Sequence, residues 1–159
     1  MLQNAPAADF PLETIHAAHK QARTITLCIA AALPVYALIV EILARTQPAT
    51  APVAASFTLR ISFFVLAGLF IFAATVVKGV LLRTAPKTPE ARLARLRGAS
   101  TIAAAFSEGP AVLGLVLFLL TRSRSDFYIL LVVAAYLLVR HFPQQAAWEV
   151  YVRRGGDAR

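Results

Sequence analysis

Glu108 interrupts an apolar run that extends from Ala99 to Thr121. A carboxyl group so placed can hold a proton, bind a cation, or accept a hydrogen bond from a neighbouring helix. An ionised acid at the middle of a bilayer costs roughly 2.5–3.5 kcal/mol on insertion scales, so it is expected to be protonated, paired or facing a wet cavity. Ser107 precedes it. Two residues further on, Pro110 cannot donate a backbone hydrogen bond and so frees the carbonyl of Phe106, one helical turn back. Glu108, Ser107 and the Phe106 carbonyl therefore make a candidate intramembrane proton or cation site.

The residues around the acid are small. Thr101, Ala104, Glu108 and Ala111 form one helical column, and Ala99, Ala103, Ser107, Ala111 and Gly114 form the next. Small side chains at these spacings let another helix approach closely. The acid is thus expected at a helix seam, with Ala103, Ala111 and Gly114 as packing positions. Pro110 and Pro34 are the expected kinks.

Other chemistry is thinly represented. His16 and His19 are spaced to share a helix face, but only Asp9 and Glu13 lie near them, too few ligands for a metal. His141 stands apart, and the three histidines read as polar head contacts. The chain holds no Gly-rich phosphate loop and no Ser/His/Asp pattern, so neither an enzyme nor a cofactor is expected. Cys28 is the lone cysteine and reads as a small core residue.

The elements that must position these groups are membrane helices. The chain has 159 residues, enough for one domain, with 58% hydrophobic and 15% charged residues and a mean hydropathy of +0.67. A water-soluble fold of this size cannot enclose so much apolar surface. The expectation is a single all-α membrane domain over 1–159, a bundle of four transmembrane helices at about 24–45, 57–82, 99–121 and 126–142. A polar segment, 1–23, precedes them, with a short interfacial helix from Phe10 as one reading. Residues 83–98 form a basic loop in which Thr88-Pro89-Glu90 has the form of a helix start, and 143–159 form a tail whose Trp148 and Tyr151 suit an interface. Small-residue stretches at 49–51 and 53–55 resemble a signal cleavage site. The long polar segment before the first run and Glu41 at its end favour a retained helix.

The net charge of +8 lacks the aromatic interleaving that nucleic-acid binding uses. It orients the chain instead. Of its 16 Lys and Arg, twelve fall in the amino-terminal segment, in the 83–98 loop with nearby Lys78, and in the stretch from Arg140 onward. Arg45, Arg60, Arg122 and Arg124 fall in the other two connections. The positive-inside rule then puts both termini in the cytoplasm of a bacterial-type inner membrane.

Residues 57–121 resemble the proton-carrying proteolipid, subunit c, of rotary ATP synthases. Lys87-Thr88-Pro89-Glu90 occupies the place of that family's polar loop, Glu108 follows at close to its spacing, and the run GLVLFLL comes next. The resemblance implies a buried, protonatable carboxylate. It does not extend to a tight inner ring, because the helix over 61–77 has Gly68 alone among Phe63, Phe64, Phe70 and Phe72. Two functions are expected. The first is a non-catalytic membrane protein packing on lipid and on other membrane proteins or itself, as an accessory or assembly subunit. The alternative is a proton- or cation-carrying subunit using Glu108.

Overall fold

In the computed structural model, which describes residues 11–46, 57–83, 86 and 88–154, those residues form five helices and no strand. They are α1 (Leu12–Thr46), α2 (Phe57–Arg83), α3 (Pro89–Thr121), α4 (Arg124–Arg140) and α5 (Gln145–Arg154). The stretches at 49–51 and 53–55 lie outside the described residues. Three helices, α1 to α3, are long and apolar enough to cross a membrane, and α4 with α5 passes the same test as a pair bent by 49°.

The first helix is longer than the apolar run implies. It continues unbroken for 35 residues from Leu12, about 50 Å at 1.5 Å per residue. Its first third is amphipathic rather than a separate interfacial piece. Ile15, Ala18 and Ala22 are buried at helical spacing, while Glu13, His16, Lys20 and Arg23 are exposed. Cys28 is exposed on α1 rather than packed in a core. Pro34 is accommodated within the helix.

The third helix begins at Pro89, so much of the basic 83–98 segment is helical. Thr88 is the cap, its side chain accepting from the Ala91 backbone N–H, with Pro89 in the first turn and Glu90 beside the positive end of the dipole. Arg122 ends the helix in the left-handed region (φ 58°) and donates its backbone N–H to Phe118 O at 2.7 Å. That bond closes an α-turn on one of the last free carbonyls. Ser123 then caps α4 by accepting from Asp126 N.

The bundle is organised around α3, which touches every other helix. The small-residue columns explain why. Ala99, Ala103, Ala104, Ser107, Ala111 and Gly114 are all buried, and α4 lies close against them. A Cβ placed on Gly114 would come within 3.0 Å of Leu130 Cβ. Ala104 and Ala111 pack with Leu33 of α1 and with Ala134 and Leu138 of α4. On another side α2 buries Ala67 and Ala74 and lays Phe70 over Gly109.

The tail contributes a helix that its mixed polarity conceals. In α5, Trp148 and Val152 are buried with Ile15, Ala18, Ala22, Leu93 and Leu96, forming a core at the foot of α1 and α3. Polar bonds hold it there. His19 Nε2 donates to Pro143 O at 3.1 Å, and Arg92 Nη1 donates to Val152 O at 3.0 Å.

Candidate functional site

Glu108 is half-buried on α3, and its partner comes from α1. The Tyr36 hydroxyl donates to Glu108 Oε1 at 2.5 Å. Tyr36 lies two residues after Pro34 and Glu108 two residues before Pro110, so each member of the pair sits next to its own helix's proline. Ala104 and Ala111, one turn to either side of the acid, are buried and let α1 come near enough for the bond. Pro110 is buried whereas Pro34 is exposed.

Ser107 takes a different direction. It is fully buried, donates its hydroxyl to Ala103 O at 2.7 Å, and lies 3.3 Å from His141 Nδ1. The Ser107 hydroxyl thus has both the Ala103 carbonyl and the His141 ring within hydrogen-bond reach. The pair is a polar bridge between α3 and the residue that caps α4. Phe106 contributes its ring instead, 5.8 Å from that of Phe70. Glu108, Ser107 and Phe106 thus face three neighbours: α1, the end of α4, and α2.

A second polar group lies at the opposite end of the bundle from α5. Arg60 Nη2 donates to Asp126 Oδ1 at 2.6 Å, joining α2 to α4. Asp126 is 2% exposed while the Arg60 side chain is 49% exposed, so the acid is carried inward and the base reaches to it. Glu41, which needs no special account as a sequence position, accepts from the Tyr128 hydroxyl at 2.8 Å and lies 3.7 Å from Arg124 Nη1. Arg45 Nε is 4.0 Å from the same carboxylate. The Arg122 guanidinium sits 5.7 Å from the centre of the Phe118 ring, a cation–π distance.

At the α5 end, His16 Nε2 lies 3.2 Å from Glu149 Oε1 and 3.0 Å from Gln145 Nε2, which itself donates to Glu149 Oε1 at 3.0 Å. The His19 ring stands edge-on to Trp148 with centroids 5.5 Å apart. The three histidines each engage a defined protein group, two of them holding α5. Among the described residues no group of three or more His, Cys, Asp and Glu gathers as metal ligands would.

Sequence reasoning singled out Glu108 and missed Tyr36, His141, Asp126 and Arg60. One signal was present: Tyr36 is a hydroxyl inside an apolar run, two residues from a proline, and a hydroxyl there needs a partner. No protein family, curated protein or solved structure matches this chain.

Proposed function

We propose that this chain is a small non-catalytic integral membrane protein, an accessory or assembly subunit that packs against membrane partners. The observation that carries the reading is the bond from Tyr36 to Glu108. The acid that the sequence marks as chemically active is engaged by another helix of its own chain. The same holds for Asp126 and Glu41, and Ser107 meets His141 at the end of α4. Polar groups bonded across helices in this way help fix how the helices pack. Helix α2 lends support, since it packs chiefly on α3 and leaves Phe57, Val65, Leu69 and Phe72 more than half exposed. Lipid or a partner helix is the surrounding such a face requires.

In this reading α1, α2, α3 and the bent α4–α5 unit make four crossings, with both termini in the cytoplasm of a bacterial-type inner membrane. The described bases of the α5 end support that orientation: Lys20, Arg23, Arg92, Arg95, Arg97 and Arg140. Native mass spectrometry on protein gently extracted from its own membrane tests the role. A defined complex with other proteins is the expected result, and a large homo-oligomer would count against it.

A second reading, a proton- or cation-carrying subunit, is favoured by one observation. Glu108 is half-buried rather than sealed, so one side of the carboxyl is reachable. An apolar carbodiimide would then modify Glu108 at low pH and progressively less as pH rises. A Glu108 that stays unmodified at every pH removes this reading.

A further inference from the structure

The elbow between α4 and α5 opens a groove of about 660 Å³. Its walls are apolar, from Leu82, Leu96 and Val150, and its polar groups are Arg140, Gln144 and Ser100. Phe142 also lines it, and the Arg23 guanidinium lies 6.0 Å from the centre of that ring. One arginine, Arg140, therefore lines a slot whose remaining walls are mostly apolar.

The lining selects the occupant. An inorganic anion would satisfy Arg140 and leave the leucine and valine walls wet. A purely apolar molecule would fill the walls and strip water from the guanidinium without replacing it. A molecule with an anionic head and a hydrocarbon body satisfies both. The position agrees: Arg140 ends α4, and a base at the end of an apolar helix reaches toward the headgroups. The charge agrees as well. Lys20, Arg23, Arg92, Arg95, Arg97 and Arg140 at this end outnumber Glu13, Glu90 and Glu149, and clustered bases of this kind attract anionic headgroups.

We propose that the groove bounded by Leu82, Leu96, Val150 and Arg140 binds one anionic phospholipid, its phosphate on Arg140 and its first acyl carbons along the walls. The inference rests on the chain spanning a membrane, and the test separates the two.

The full chain is reconstituted in vesicles of equal phosphatidylglycerol and phosphatidylcholine. It is then extracted in mild detergent, and retained lipids are counted by native mass spectrometry. One phosphatidylglycerol is expected to remain in preference to phosphatidylcholine. Arg140→Gln removes a charge-assisted contact from an exposed position and should lower that preference about tenfold. Ala147→Trp, also at an exposed position, fills the groove and should abolish retention while helix content is unchanged. An unchanged lipid ratio in both variants overturns the proposal. Displacement of the lipid by millimolar inorganic phosphate, or a second copy of the chain retained in its place, overturns it too. Alkaline carbonate washing reports the membrane reading separately. A chain that stays in the vesicles without lipid preference sinks the groove alone, and a chain that washes off sinks the spanning reading.

Discussion

The Tyr36 hydroxyl reaches Glu108 Oε1 at 2.5 Å and ties α1 to α3. Bonds of this kind in a bilayer contribute about 0.6 kcal/mol on average and up to about 1.7. A short bond to a carboxyl group belongs at the upper end. Tyr36→Phe removes the donor and leaves the acid's oxygen without it, so about 1–2 kcal/mol of stability should be lost. Glu108→Gln keeps an accepting oxygen and should cost less. Once Glu108→Leu is made, Tyr36→Phe should cost little more. Unfolding by sodium dodecyl sulfate titration in dodecyl maltoside, followed by circular dichroism, measures the cycle. Strict additivity of the two substitutions would show that the bond contributes nothing.

The Arg60–Asp126 pair differs from the Arg45–Glu41 pair in burial and distance, and the two should behave differently. Asp126 is enclosed and receives Arg60 at 2.6 Å, whereas Arg45 is 79% exposed and 4.0 Å from Glu41. A hydrogen bond to a charged group contributes more than one between neutral groups, and the exposed half of Arg60 lessens that contribution. Arg60→Gln should therefore lower stability measurably by leaving the buried Asp126 carboxylate without its partner, and Arg60→Lys should recover part of the loss. Arg45→Gln should cost close to nothing. Equal losses at the two sites, measured by the same titration, would mean that burial of Asp126 does not set the strength of its pair.

Helix positions were legible where the signal was local. Thr88-Pro89-Glu90 marks a start because a cap, a proline and an acid satisfy the same few backbone groups that any helix start leaves open. The fourth helix, expected over about 126–142, forms as α4 over Arg124–Arg140. The foot of α1 was legible as a short interfacial helix from Phe10 but not as the continuation of the first apolar helix. Ile15, Ala18 and Ala22 lie among charges, and the averaged hydropathy there is polar. Helix α5 was hidden for the same reason, since its burial depends on a core shared with α1 and α3. Partners across helices were not legible at all. Glu108 and Tyr36 are 72 positions apart, and which face of α1 meets α3 follows from packing that no single segment encodes.

Close approach of α2 to α3 depends on Gly109, which reads in sequence as no more than a neighbour of Pro110. A Cβ there would stand 2.7 Å from Phe70 Cγ, closer than side-chain carbons come, whereas one on Gly98 would meet nothing within 4 Å. Gly109→Ala should lose about 1–3 kcal/mol by overpacking, despite alanine's better helix propensity. Gly98→Ala should gain up to about 1 kcal/mol from that propensity alone. Phe70→Leu, combined with Gly109→Ala, should restore part of the loss by removing the ring. A stabilised Gly109→Ala protein would show that α2 and α3 do not lie as close as the Phe70 contact requires.

Attachment of α5 can be followed through its own tryptophan. Trp148 is the one tryptophan of the chain and is 3% exposed, so its emission reports whether α5 sits on the foot of α1 and α3. Ile15 is fully buried beneath it in the same cluster. Ile15→Ala removes packing that amounts to about 2–5 kcal/mol in a core of this kind, more than the exposed His16–Glu149 contact can offset. The emission maximum should shift to the red, and fluorescence quenching by iodide should increase. His16→Ala should leave both nearly unchanged, because the helix is held chiefly by Trp148 and Val152. A red shift in His16→Ala with none in Ile15→Ala would reverse that order and make the polar contact the main attachment.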